Sequence, residues 1–455
     1  MTTLLERTKG SALDVVVTHG FSPRTAALLS SHTRRIRHLE FPLNHWADIL
    51  TFSEVNPGPL PLLRTLKICV AGNPMQHGQP SAAAAPPPPL LVGAIGLEEL
   101  VFDLQKNSTW AVSLGHFEFP NLTTFKFTTP SAPELNASDL LGFLGASSNL
   151  RMVEVEVHGS LVLAGAPFDT PVVLQNVETF SLSGKVDGSR IYYFATHVSC
   201  PRAKYTSLAL QIYQDIDPVP EIFPDPASWE KIVHQYTTSP VEEVTLDINL
   251  DELAVDSLTF QSSDGTIVRL GFQVFGGAVQ ELDPARLEMA VELLSRAFLT
   301  IRDHPQLPCL KRLYVKDQTR LLGGAARLSM VEVVWDLFSR LELLDELTIS
   351  GCDLQVFLAP FFDLPELRHF LRVFPRVKKV EILDGRMGEW RQGMEAIKNL
   401  AKSQYEQEKP FERMTVTGME FPTGMAETLR QWVGVVHLLV RINGAEWCST
   451  QADDV

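Results

Sequence analysis

The side chains able to carry chemistry are unevenly placed along the chain. Between residues 205 and 264 lie twelve carboxylates, Asp215, Asp217, Glu221, Asp225, Glu230, Glu242, Glu243, Asp247, Asp251, Glu252, Asp256 and Asp264, against one base, Lys231, a local charge of −11. Carboxylates in such number suit paired acid and base work, calcium binding or attraction of a basic partner. A catalytic pair is defined by its spacing in three dimensions, which sequence order does not supply. A calcium loop needs the ligand pattern D-x-[DN]-x-[DN]-G, and the stretch has none. Docking of a basic protein segment is the functional expectation, with Asp247, Asp251 and Glu252 at its centre. Solvated loops and helix faces are the plainer alternative.

Other chemistry is not legible. The chain contains no GxxxxGK[ST], GxSxG, HExxH or GxGxxG. Its twelve histidines are scattered, and His32 and His38 flank an Arg34, Arg35, Arg37 cluster that reads as a strand edge. The five cysteines, Cys69, Cys200, Cys309, Cys352 and Cys448, are far apart and form no metal-ligand spacing, which fits a reduced compartment. No catalytic residue, cofactor or metal ligand is assigned, and the chain reads as a non-enzyme. With 39 basic and 54 acidic residues, a net charge of −15, it is a poor partner for nucleic acid or anionic lipid. The first residues carry charge and no apolar run, so no secretory signal is readable. The sequons at Asn107, Asn121 and Asn136 read as chance matches. The longest uncharged stretch, 71–97, holds six prolines and cannot be a spanning helix. A cytoplasmic or nuclear monomer is expected.

These side chains must be positioned by a repeat. The pattern apolar-x-x-apolar-x-apolar recurs thirteen times, beginning at Ile36, Leu63, Leu97, Leu122, Leu150, Val177, Tyr205, Val241, Ile267, Leu310, Leu344, Val377 and Phe411, at steps of 25 to 43 residues. One copy is much sharper: residues 344–354, LDELTISGCDL, fit the leucine-rich-repeat template L-x-x-L-x-L-x-x-[NC]-x-L at every fixed position. The middle of that template is a short strand, Cys352 sits where the chain turns inward, and Leu354 plugs the coil. Cys352 therefore reads as a buried structural thiol. The intervals carry helical stripes: Leu287, Val291, Leu294 and Phe298; Val331, Val334, Trp335 and Phe338; Trp390, Met394, Ile397 and Leu400. Residues 139–145 form a shorter one, with Ser138 as its N-cap. The expected fold is an α/β leucine-rich-repeat solenoid running as a single unit through 1–455, with a curved parallel sheet on the concave side and helices and loops on the convex side. The length alone, at roughly 150 residues per domain, would instead suggest three domains. Residues 71–92, rich in Pro and Ala, are expected as a disordered insertion, and 442–455 as a disordered tail.

If the apolar positions point inward, the fifth and seventh positions of each copy point outward, because strand side chains alternate. Both columns are mostly polar, a property independent of the apolar pattern that defines the copies. From them come the partner-binding candidates Lys126, Glu154, Glu156, Gln211, Thr245, Asp247, Gln273, Tyr314, Lys316 and Thr348, beside Asp251 and Glu252 of the acidic stretch. An extended row of variable side chains is what solenoids offer another protein.

Four stretches, 5–15 (LERTKGSALDV), 29–39 (LSSHTRRIRHL), 119–125 (FPNLTTF) and 140–150 (LLGFLGASSNL), carry a further likeness. Over about 4–440 the chain resembles the F-box-like leucine-rich-repeat proteins of mushroom-forming fungi. The resemblance implies the substrate-recognition arm of a ubiquitin ligase. The family's N-terminal F-box, which docks on the ligase adaptor, would precede Leu5, and Val219 to Phe223 imitates it only superficially. An adaptor is therefore expected as partner only if an F-box is supplied elsewhere. The alternatives are a repeat scaffold with no ubiquitin link and, from another class, a parallel β-helix enzyme acting on polysaccharide.

Overall fold

The structure, a computed structural model, describes residues 10–17, 23–43, 60–70, 94–104, 114, 118–128, 135–157, 161–162, 171–185, 194–213, 235–236, 239–249, 254–275, 309–317, 337–338, 341–352, 354–358, 376–384, 390–418, 421–442 and 445–449. The chain divides into two compact units, Met1–Pro224 and Asp225–Val455. Each is α/β, and each is built on an open, mostly parallel sheet. The division falls where the sequence reading runs a single solenoid through the whole chain.

The first unit holds β1 (Leu13–Val16), β2 (Ile36–Leu43), β3 (Thr65–Val70), β4 (Glu99–Leu104), β5 (Thr124–Thr128), β6 (Leu135–Asn136), β7 (Met152–Val157), β8 (Leu161–Val162), β9 (Val172–Val173), β10 (Thr179–Lys185), β11 (Val198–Ser199) and β12 (Tyr205–Tyr213). Its helices are α1 (Pro23–Ser30) and α2 (Ala137–Ala146). The sheet order is β1-β2-β3-β4-β5-β7-β10-β12, every pairing parallel. The short strands pair separately, β6 with β8 and β9 with β11. Register puts like on like: Leu39, Leu66, Leu100, Phe125, Val153 and Phe180 are successive partners, all fully buried. Burying a side chain of this kind contributes about 1.5–3 kcal/mol, so the row alone is a substantial part of the driving force. Phe125 reaches the helix behind it, its ring 4.7 Å from that of Phe143 in α2. That helix starts at Ala137, so Ser138 lies in its first turn and is not the N-cap the sequence suggested.

Strands β3, β4, β5, β7 and β10 are each entered through a tight turn. The amides of Leu63, Leu97, Leu122, Leu150 and Val177 donate to the carbonyls of Leu60, Ala94, Phe119, Ser147 and Leu174, whose side chains are all buried. The repeat thus extends three residues upstream of the pattern found in the sequence. The same turn, Ala203 N–H to Cys200 O, corrects the seventh copy. It begins at Ala203 and not Tyr205, because Thr206 pairs with Phe180 and Leu208 with Leu182, and both are buried. A threonine in an apolar slot hid the true register. A second ladder ties the turns together. Asn121, Asn149 and Asn176 donate their side-chain Nδ2 to the carbonyls of Ile95, Pro120 and Ser148, each one repeat back, at 2.9, 2.6 and 3.0 Å. Asn121 is exposed, with one side-chain N–H held by the Ile95 carbonyl.

The second unit holds β13 (Val241–Asn249), β14 (Ala254–Ser262), β15 (Ile267–Phe275), β16 (Arg312–Asp317), β17 (Glu346–Ser350), β18 (Lys379–Leu383), β19 (Arg413–Gly418), β20 (Val435–Ile442) and β21 (Ala445–Ser449), with α3 (Leu354–Phe357), α4 (Trp390–Glu406) and α5 (Met425–Arg430). Strands β13, β16, β17, β18, β19 and β20 follow one another in parallel. Two departures from the expected repeat occur. The copy at Ile267 is not the parallel neighbour of the copy at Val241: β14, a strand outside the repeat pattern, lies between β13 and β15 and pairs antiparallel with both. The β14–β15 turn carries Asp264 and Gly265, the latter at φ +85°, a conformation glycine adopts without steric cost. At the other end, part of the expected C-terminal tail is a strand, since β21 pairs antiparallel with β20. Asn443 and Gly444 stand between them in sequence, a strong hairpin signal. A parallel strand, β20, also precedes it, with Val433 and Leu438 buried.

Of the helical stripes, Met394, Ile397 and Leu400 form the buried side of α4. Leu337 and Phe338 are helical and buried. The stripe at 287–298, the residues Val331, Val334 and Trp335, and the insertion at 71–92 lie outside the described residues.

Candidate functional site

The face opposite the buried rows carries the candidate residues, in two groups. In the first unit Lys126 of β5 is the register partner of Glu154 in β7, and their charges meet at 2.7 Å. Glu156, two residues further along β7, is exposed beside Thr128 and Ser183. Gln211 does not join them. With the seventh copy set back by two residues, the outward positions there belong to Ser207 and Ala209, and Gln211 pairs through its backbone with Lys185, beyond the column.

In the second unit the register makes one continuous row across six strands: Thr245, Tyr314, Thr348, Glu381, Thr415 and His437. Thr348 and Thr415 are buried among their neighbours although they lie on the outward face, so the row is closely packed. The Thr348 hydroxyl donates to Glu381 Oε2 at 3.4 Å. Tyr314 stands half-buried in the middle, and burial, followed by the Glu243 carboxylate, pushes its hydroxyl above the ordinary tyrosine value. Arg312 pulls the other way, and Glu346 and Glu381 add to the upward push. The phenol therefore remains a hydrogen-bond donor at neutral pH.

Charges on this face are matched strand to strand. Glu243 pairs with Arg312 at 3.0 Å, Asp247 with Lys316 at 3.0 Å, and Glu346 with Lys379. Glu242, at the start of β13, pairs with Lys311, the residue before β16, at 2.7 Å. Pairs this exposed contribute at most about 1 kcal/mol each, so their effect is to set the local potential more than stability. For the acidic stretch the consequence is direct. Glu242, Glu243 and Asp247 each face a base that comes from about 70 residues later in the chain, as in Lys316 against Asp247 (|i−j| = 69). Asp264 is a turn residue: it accepts from the Ser239 hydroxyl at 2.6 Å and from the Thr266 amide at 2.9 Å, and these bonds hold its carboxyl below the usual range. The −11 counted along the sequence is thus partly offset in space. Asp251 and Glu252 lie outside the described residues, and Gln273 pairs through its backbone with Ala254 in the β14–β15 hairpin.

Cys352 occupies the position its template requires. It is fully buried, and its thiol lies 3.5 Å from the Val315 carbonyl of β16 and 3.4 Å from that of Ser350. Leu354, the last residue of the template, is fully buried as well. Among the described residues no group of three or more His, Cys, Asp or Glu is arranged to hold a metal ion. No described helix is long and apolar enough to cross a membrane.

Sequence reasoning missed the side chains at the strand starts of the first unit. Arg64, Glu98, Asn121, Thr123, Asn149, Arg151, Asn176, Glu178 and Arg202 line a groove of about 590 Å³ there. Its signal was present: an asparagine directly before the first pattern residue recurs at 121, 149 and 176, steps of 28 and 27. A polar residue is invisible to a pattern defined by apolar positions. No protein-family model matches the chain, and no curated protein is significantly similar to it.

Proposed function

We propose that the protein is a non-enzymatic interaction module, a leucine-rich-repeat array whose outward strand columns hold another protein. Following the resemblance of its sequence, that partner is a substrate delivered to an F-box-type ubiquitin ligase. The observation that carries the reading is the in-register row from Thr245 through Tyr314 and Thr348 to Glu381. Such a row presents variable side chains at a fixed strand spacing of about 4.8 Å, a surface that can be altered residue by residue without touching the core behind it. Tyr314 suits the centre of a contact: a rigid apolar ring with a donating hydroxyl. The matched charges around it, Asp247 with Lys316 and Glu243 with Arg312, make the surface selective for shape and polarity. A basic segment attracted by the carboxylates would have to displace those bases. Leucine-rich-repeat character is supported by the complete template at 344–354 and by the buried Cys352 and Leu354.

Affinity purification tests this reading, comparing the wild-type chain with a Tyr314→Glu/Lys316→Glu variant of unchanged circular dichroism. The expected result is a defined set of proteins held by the wild type and lost by the variant. The ligase adaptor within that set would support the ubiquitin link, and a set without it would leave a scaffold. Identical sets from the two chains would contradict the assignment of the surface.

A further inference from the structure

The groove at the strand starts of the first unit is built from other side chains than the outward columns, and its chemistry can be read independently of them. Three features define it. Asn121, Asn149 and Asn176 give their amide N–H to backbone carbonyls. Because the partner in each case is an acceptor, the side chain gives one N–H to the fold and keeps its Oδ1 and its second N–H for other partners. Three acceptors therefore recur at successive repeats. Second, Arg64 is already engaged, with Glu98 Oε1 at 2.7 Å and the Gly96 carbonyl at 3.3 Å. Third, Arg151 and Arg202 are exposed, stand on either side of Glu178 along the groove, and form no ion pair among the described residues. Beyond the Arg64–Glu98 pair the groove thus carries two guanidinium groups against one carboxylate, on a chain whose net charge is −15.

An occupant must satisfy both sets. Guanidinium groups call for carboxylate or phosphate, which they grip through paired N–H bonds. The asparagine oxygens call for donors. A phosphodiester backbone brings acceptors only; it could take the second amide N–H groups but would leave the three amide oxygens without donors beside the Glu178 carboxylate. An extended peptide brings an N–H at every residue together with acidic side chains. We propose that this groove binds an extended acidic segment of a partner protein, with Arg151 and Arg202 pairing its carboxylates and the asparagine row accepting its backbone N–H groups.

The test is fluorescence anisotropy on the full chain, with a labelled ten-residue peptide of alternating Glu and Gly as probe, a Lys/Gly peptide of equal length and oligo-dT as comparisons. The expected result is saturable binding of the acidic peptide alone, weakened about tenfold or more by Arg151→Glu/Arg202→Glu, as loss of two charge-assisted contacts requires. Weakening by salt should accompany it. If the reversal lowers the melting temperature, Arg151→Gln/Arg202→Gln is read in its place. Absence of saturable binding, equal binding by wild type and variant, or tighter binding of oligo-dT would each overturn the proposal. Because the outward columns are untouched by these substitutions, the outcome is separable from that of the affinity purification.

Discussion

Cys200 shows how a single side chain can serve the repeat without resembling its neighbours. It fills the upstream turn position that Leu60, Ala94, Phe119, Ser147 and Leu174 fill elsewhere, and burial pushes its thiol up to about 12. A thiol whose folded value lies above its unfolded one favours folding fully at low pH, and that contribution declines as pH rises from about 9 towards 12. Two outcomes are expected. In the native protein at pH 8 Cys200 should react with an alkylating reagent far more slowly than in urea. The stability advantage of wild type over Cys200→Ala, measured by urea denaturation, should narrow above about pH 9. An advantage that is flat to pH 11 would show the thiol to be accessible in the folded state. Cys352 was readable from sequence because its template names the residue type. Cys200 was not, because that position takes Leu, Ala, Phe, Ser or Cys and only its burial is common to them.

At the scale of strands and turns, what was legible depended on whether the pattern was apolar. Strands β3, β4, β5, β7 and β10 were found because leucine, phenylalanine and valine mark their inward positions. The strand at β12 was found two residues out of register, since Thr206 breaks the pattern. The hairpins β14–β15 and β20–β21 were missed although Asp264-Gly265 and Asn443-Gly444 announce them, because turn residues carry no weight in a search for apolar spacing. Gly434 makes an element-scale prediction. It lies between the buried Val433 and β20, where its amide donates to the Phe411 carbonyl at 3.0 Å. A Cβ added there would sit 2.9 Å from the Glu412 carbonyl oxygen, a backbone atom that cannot swing aside. Gly434→Ala should therefore cost about 1–3 kcal/mol in urea denaturation, whereas Gly142→Ala, which meets nothing within 4 Å, should not destabilise. Equal stability of the two variants would mean that β20 does not approach β19 as closely as described.

For the molecule as a whole, the α/β character and the parallel sheet followed from the spacing of repeats, but the distribution of charge did not. Twelve carboxylates read along the chain suggested an acidic sector. Folding brings Lys311, Arg312 and Lys316 onto three of them, because strands adjacent in the sheet are far apart in sequence. The same process assembles the row through Tyr314 from separate repeats, and that row is the central claim about function. Site-specific photo-crosslinking tests it most directly. A photoreactive phenylalanine analogue is placed at Tyr314 and, as a control on helix α4, at Lys402, whose side chain is 53% exposed. Irradiation in lysate should give one dominant covalent adduct from position 314 and none from 402. No adduct at 314, or the same adducts from both positions, would contradict the assignment of the outward strand face as the surface that holds a partner.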